Sequence, residues 1–242
     1  MQCKLKPEIG SIAVQCRGIV KYLGKGALGS RVLSGVDLDV RTGEMTLLVG
    51  PSGCGKTTLI SIMAGILSPD SGVVEAFGTR VSDLRGAAAS RFRAAHIGMI
   101  MQQLNLLPAL TAVENAALPL LAQGHSQSSA QVRAVKLLRE LELGEHLVKY
   151  PAEMSVGQQQ RVAVARALVH EPQLVLCDEP TAALDTASGI GVMRLLRGAA
   201  RRSDCAVIVV THDQRILPFG DRIVRMSDGR VSEVDPINME AA

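Results

Sequence analysis

The stretch GPSGCGKTT, Gly50 to Thr58, restricts the folds open to this chain more than any other. It carries Gly-x-x-x-x-Gly-Lys-Thr between two apolar runs, EMTLLVG before it and TLISIMAGIL after it, so a strand leads in and a helix leads out. Gly50, Gly53 and Gly55 let the backbone curl with its N–H groups inward, and the helix start adds free N–H groups of its own. Such a loop is a phosphate cradle. Lys56 carries charge toward the terminal phosphate, the Thr57 hydroxyl is placed to ligate Mg²⁺, and Pro51, Ser52, Cys54 and Thr58 complete the ring. The Cys54 thiol is read in two ways, as a thiolate favoured by the N–H dipoles or as a small filler, and filler is the simpler reading.

Composition narrows the remaining classes. With 242 residues, 47% of them hydrophobic, the chain has ample core for one large domain. A net charge of +3 with scattered basic residues lacks the concentrated footprint of a nucleic-acid binder, and 2% aromatics with no Trp argues against base-stacking platforms. The five cysteines, Cys3, Cys16, Cys54, Cys177 and Cys205, are odd in number and without Cys-x-x-Cys spacing, so neither a disulfide framework nor a zinc site is expected and a reducing compartment fits. No run approaches the roughly 18 apolar residues of a membrane span, so any membrane role is borrowed from a partner.

Along the chain, SIAVQC, VLSGVDLDV and EMTLLVG read as strands, TLISIMAGIL as a helix stopping at Ser68-Pro69, and SGVVEAFG as a further strand. Between about Arg85 and His170 the pattern turns helical, with Val132, Val135, Leu138 and Leu141 recurring on one face, which reads as an insertion. LVLCDEP and AVIVVTHD are apolar runs of the kind buried on both faces of a parallel sheet, separated by a helix around Ala187 to Arg201, and Asp228-Gly229 marks a terminal hairpin.

Two strand ends carry chemistry. Asp178 and Glu179 stand where LVLCDEP stops, the place at which open parallel sheets put their ligands. Adjacent residues point different ways, so Asp178 suits the Mg²⁺ shell and Glu179 can orient or deprotonate a water. His212, at the end of the next strand, has the same placement. A second anion-seeking helix start then poses a puzzle: MSVGQQQRVAVARAL also runs from a glycine-containing turn into a helix.

Five elements in fixed order, GPSGCGKTT, the glutamine of GMIMQQLNLLP, MSVGQQQRVAVARAL, LVLCDEPTAALD and VVTHD, together resemble the ATP-binding subunits of ABC transporters over essentially the whole chain. The resemblance implies one α/β domain over 1–242 with the ABC ATPase fold: a P-loop NTPase core with a mainly parallel sheet, an N-terminal antiparallel β subdomain and an inserted α-helical subdomain. Residues 11–84 would hold the β region and P-loop, 85–168 the Q-loop and helical subdomain, and 169–242 the Walker B, D-loop, H-loop and C-terminal hairpin. It also resolves the puzzle, because in this family the signature, here Met154-Ser155-Val156-Gly157-Gln158, binds the γ-phosphate of ATP held by another subunit's P-loop.

Carried across residue by residue, Gln102 matches the Q-loop glutamine that senses Mg²⁺ and the γ-phosphate, with neighbouring Gln103 leaving the register open. Asp178 matches the Walker B aspartate, Glu179 the catalytic base, Asp185 the D-loop and His212 the H-loop switch, with Lys56 joining Glu179 and His212 in catalysis. Thr57, Gln102 and Asp178 would ligate Mg²⁺, while Ser155, Gly157 and Gln158 would meet ATP in trans. The family stacks adenine on an aromatic ahead of the P-loop, and Tyr22 is the only candidate before Gly50; the alternative is a core or edge-strand role.

Met154 in place of Leu conserves volume. Val156 in place of the first signature glycine means either that φ there is ordinary and the side chain packs, or that the trans site is weakened. The implied cofactors are ATP and Mg²⁺. The implied partners are a second copy of the chain, an integral membrane permease docking near Gln102 to Leu110, and, through it, a periplasmic adaptor, with no nucleic acid. The place is the cytoplasmic side of the inner membrane. The segments MQQLNLLP and LLPALTAVENAALPLL look most like the lipoprotein-release and macrolide-export branch. The rival is a soluble non-transport ABC ATPase, although the coiled coils or tandem cassettes of such members are missing.

Overall fold

In the computed structural model, which describes residues 10–24, 29–202 and 204–236, β1 (Ile12–Leu23) pairs antiparallel with β2 (Ser30–Arg41). β3 (Met45–Val49) then feeds the glycine loop and α1 (Lys56–Met63), and β4 (Ser71–Ala76) with the two-residue β5 (Thr79–Arg80) returns to β1. The antiparallel sheet thus has the order β2-β1-β4-β5. Next come α2 (Gly86–His96), β6 (Ile97–Ile100), α3 (Ala112–Ala122), α4 (Gln127–Glu140) and α5 (Val156–Leu168). The chain continues through β7 (Leu174–Asp178), α6 (Thr186–Ala200), β8 (Ala206–Thr211), β9 (Arg222–Ser227) and β10 (Arg230–Pro236). The second sheet has the order β10-β9-β3-β8-β7-β6, parallel throughout except for the β9-β10 hairpin.

Every residue of β7 and β8 is buried, as apolar runs covered on both faces require. Alternate side chains serve different layers. Leu47, Val175, Cys177, Val207 and Val209 pack with α3, α4, α5 and α6. Leu48, Leu174, Leu176, Ile208 and Val210 pack with α1 and the antiparallel sheet.

Three expectations need correction. The helix after the glycine loop ends at Met63, not at Ser68-Pro69, because Gly65 turns left-handed at φ 63° and the Ile66 N–H reaches back to Ser61 O at 2.9 Å. The segment 85–168 is not wholly helical: β6 completes the edge of the parallel sheet beside β7. The buried stripe of α4 runs through Ala130, Ala134 and Leu138 to Leu141, leaving Val132 71% exposed. The small alanines let α4 lie close to Ala112, Ala116 and Ala117 of α3, which valines on the same face would prevent.

Candidate functional site

The glycine loop is shaped by two close approaches. A Cβ on Gly50 would meet Met226 O at 2.2 Å, and one on Gly55, where φ is 105°, would meet Leu33 Cδ2 at 2.7 Å and Val32 O at 2.8 Å. The β9-β10 turn holds the loop from behind: the Gly229 N–H donates to Cys54 O at 3.2 Å, and Gly229 O accepts from the Ser34 N–H at 2.8 Å. Gly55 is the N-cap of α1 and offers no side-chain cap, so the first turn keeps its N–H groups for a ligand. Lys56 Nζ donates to Gly50 O and Pro51 O, both at 2.8 Å, which poises the ammonium over the loop. Cys54 is buried beneath it. Burial pushes the thiols of Cys16 and Cys205 up to about 12 and raises that of Cys177 as well, so these three are inert core sulfurs. Cys3 lies outside the described residues.

Opposite the loop stand the ends of β7 and β8. Asp178 is buried and accepts a hydrogen bond from Thr57 Oγ1 at 2.8 Å, so a hydroxyl and a carboxylate, hard oxygen donors of the kind Mg²⁺ takes, lie together. Glu179 follows in the left-handed region at φ 52°, its N–H tied to Val210 O at 3.0 Å. A non-glycine residue there is strained, and the strain turns the carboxylate away from the strand direction. Glu179 Oε1 lies 2.6 Å from His212 Nδ1. The loop after His212 is fixed by Asp213, which accepts from the Arg215 N–H at 2.9 Å and from its guanidinium; the guanidinium holds this carboxyl below its ordinary value.

These groups converge. Gly50, Pro51, Ser52, Gly53, Gly55, Lys56, Thr57 and Thr58 line a cavity of about 660 Å³ together with Gln102, Asp178, Glu179 and His212. Gln103 does not line it, nor does Cys54. Leu23 and Val32 supply its apolar wall. Tyr22 lies one residue before Leu23 and is 49% exposed, outside the cavity lining.

The remaining predicted residues form a second, separate group. Ser155 caps α5 and shares a reciprocal capping box with Gln158: the Gln158 N–H donates to Ser155 Oγ at 3.2 Å and the Ser155 N–H to Gln158 Oε1 at 3.0 Å. Val156 opens the helix with an ordinary negative φ and is 60% exposed, so the backbone is unstrained but the side chain does not pack. A Cβ on Gly157 would lie 3.3 Å from Leu184 Cδ2, which puts the signature turn beside the segment ending in Asp185. Asp185 caps α6 by accepting from the Ser188 N–H at 3.0 Å, and the Ser188 hydroxyl, with that N–H second, holds its carboxyl below the ordinary value.

The segment 102–110 has no regular structure, and two residues that sequence reasoning passed over hold it. Asn115, fully buried on α3, accepts from the Leu107 N–H at 2.8 Å and donates to Leu107 O, Leu110 O and Thr111 O. Arg166 on α5 donates to Asn105 O at 2.7 Å and to Leu104 O. Leu106 packs against the core while Leu107 is exposed.

The sequence profile of the family described as ABC transporter matches residues 33–182. The chain belongs to the ABC transporter ATP-binding family. An uncharacterized ABC transporter ATP-binding protein of Mycobacterium tuberculosis is 45% identical over 218 residues, covering 90% of this chain and 66% of that protein. The chain therefore spans about two thirds of the length of such a relative. The lipoprotein-releasing system ATP-binding protein LolD of Chromohalobacter salexigens is 41% identical over 225 residues, covering 92% of this chain and 94% of LolD. Among solved structures, the ATP-binding cassette MJ0796, as a dimer in a post-hydrolysis state bound to ADP and Pi, superposes with a TM-score of 0.89 at 35% identity. That match covers 93% of this chain and 99% of the cassette. The α/β ABC ATPase fold implied by the sequence is thus the fold of this ABC domain. No helix among its described residues is long and apolar enough to cross a membrane.

Proposed function

We propose that this ABC domain binds and hydrolyses ATP and drives a separate membrane permease, as a head-to-tail homodimer enclosing two nucleotides. The observation that carries the reading is the split of the motifs: Lys56, Thr57, Gln102, Asp178, Glu179 and His212 share one cavity, while Ser155, Gly157 and Gln158 lie outside its lining. One chain offers two half-sites, and two chains facing each other complete both.

The triphosphate enters along the glycine loop, where Lys56 exchanges the carbonyls of Gly50 and Pro51 for phosphate oxygens. Thr57, Asp178 and Gln102 would hold Mg²⁺, which supplies charge neutralisation at the phosphates when bound. Glu179 takes the proton of the attacking water, and His212 holds its carboxylate. Water then adds to the γ-phosphorus as the bond to the β-phosphate oxygen breaks, giving ADP and phosphate. Leu23 and Val32 wall the base side, and the Tyr22 ring stacks on adenine. The segment Gln102 to Leu110, irregular and carrying exposed Leu107 at its middle, docks the permease at the cytoplasmic face. The likeness to LolD, a lipoprotein-releasing system protein, supports release of a lipophilic cargo; export, with an adaptor reached through the permease, belongs to the same reading.

Glu179→Gln retains ATP binding and loses about 10²–10⁴ in turnover, accumulating as an ATP-bound dimer on gel filtration. Co-purification with an integral membrane protein, lost in Leu107→Glu at unchanged melting temperature, tests the transport arm. Wild-type turnover in the Gln variant refutes the site assignment.

A further inference from the structure

The loop between α4 and α5 sets one imidazole against the signature turn. We infer that His146 is a positioning residue for the Ser155–Gln158 capping box, and through it for the groups that meet the partner's nucleotide; this rests on the head-to-tail arrangement proposed above. The box leaves little choice of orientation. Gln158 Oε1 is occupied by the Ser155 N–H, so the side-chain amide nitrogen points the other way, and it lies 2.9 Å from His146 Nε2. An amide NH₂ only donates, so His146 Nε2 accepts and the ring proton is assigned to Nδ1. Turning the Gln158 amide over would set NH₂ against the Ser155 N–H and open the box.

Two further observations separate this role from simple packing. His146 Nδ1 is buried without a hydrogen-bond partner, a cost that an apolar residue filling the same space would not incur. The backbone around the ring is clamped at both ends. The His146 N–H donates to Leu143 O at 3.0 Å, and the Lys149 N–H donates to His146 O at 3.1 Å. Lys149 O and Leu147 O in turn accept from the Ala112 and Val113 N–H groups at the start of α3, at 2.9 and 3.0 Å. The imidazole therefore stands on a base fixed to α3 and reaches across to α5. It fixes Gln158, Gln158 fixes the Ser155 backbone, and the Ser155 hydroxyl is aimed accordingly.

The test uses two amides of similar bulk on the full chain. A glutamine carbonyl oxygen reaches about where an imidazole Nε2 lies, whereas an asparagine oxygen stops near the place of Nδ1. His146→Asn should lower the ATPase kcat about tenfold, and His146→Gln should restore it to within about twofold. The ATP dissociation constant should stay the same in both, because His146 does not line the Lys56 cavity, and both variants should remain folded at the assay temperature. Equal turnover in the two variants, or a fall in turnover matched by lost ATP affinity, overturns the inference. Ser155→Arg separates this failure from that of the underlying reading. If it abolishes turnover while His146→Asn is normal, only the role of His146 falls; if Ser155→Arg itself turns over normally, the head-to-tail arrangement falls and His146 has nothing to position.

Discussion

The two helix starts proposed to meet phosphate in this domain are built in opposite ways. α1 begins after a left-handed glycine, has no side-chain cap, and buries Lys56, Thr58 and Leu59 in its first turn. α5 begins after Ser155, closes a reciprocal box with Gln158 and leaves Val156 exposed. An uncapped first turn inside a walled cavity needs an anion to satisfy its N–H groups; a turn whose box already satisfies the Ser155 and Gln158 N–H groups is held in shape before any phosphate arrives. The difference fits a cradle that holds nucleotide within its own chain, and a lid edge that waits for another chain to bring one.

The sharpest way to break this contrast is to add one methyl group to each start. Gly55→Ala should remove measurable ATP binding, because the Cβ has no room against Val32 O and φ is 105°. Gly157→Ala, at ordinary helical φ with the end of the Leu184 side chain at 3.3 Å and Ala183 O at 3.9 Å, should bind ATP normally and melt no lower, while losing turnover if this turn meets the partner's phosphate. Nucleotide titration and steady-state hydrolysis read the pair; equal losses of ATP affinity would erase the distinction. A smaller effect is expected at the outer wall of the cradle. Tyr22→Ala should weaken ATP binding about 5- to 150-fold, with Tyr22→Phe close to neutral, and unchanged affinity would leave Leu23 and Val32 as the whole of the base wall. The smallest belongs to Val156→Gly. With φ ordinary and the side chain exposed, it should cost no more than about 1 kcal/mol in thermal unfolding and change turnover only a few-fold; restoration of a much faster enzyme would show that Val156 obstructs the trans site.

How much of this was legible in advance depends on how far apart the interacting residues lie. The glycine loop was readable because its groups lie in one continuous stretch, and Asp178, Glu179 and His212 because fully apolar strands announce where they end. The left-handed turn at Glu179 left no mark in the sequence, since it occurs where the backbone is tied to Val210 on another strand. Gly229 read as a hairpin residue, and its second task behind Cys54 needs the fold to be seen. Asn115 drew no notice in the sequence, because a single amide in an apolar helix carries no motif, yet it is fully buried and spends its amide on the loop before it. The α4 stripe was misplaced because valines outweighed alanines in the pattern, whereas helix contact favoured the smaller side chains.

The alternation of side chains along β3, β7 and β8 has a consequence for motion. Each central strand is gripped from both faces by different layers, so its amide hydrogens can exchange with solvent only when both layers come apart, which amounts to opening the whole molecule. The stretch 102–110 is held instead by a few polar clasps, Asn115 and Arg166 chief among them, and can open by itself. In deuterated water, protection should therefore fall by orders of magnitude between the central strands β7 and β8 and the stretch 102–110. Such a contrast would let the loop change shape while β7 and β8, whose ends carry Asp178 and His212, keep their registration.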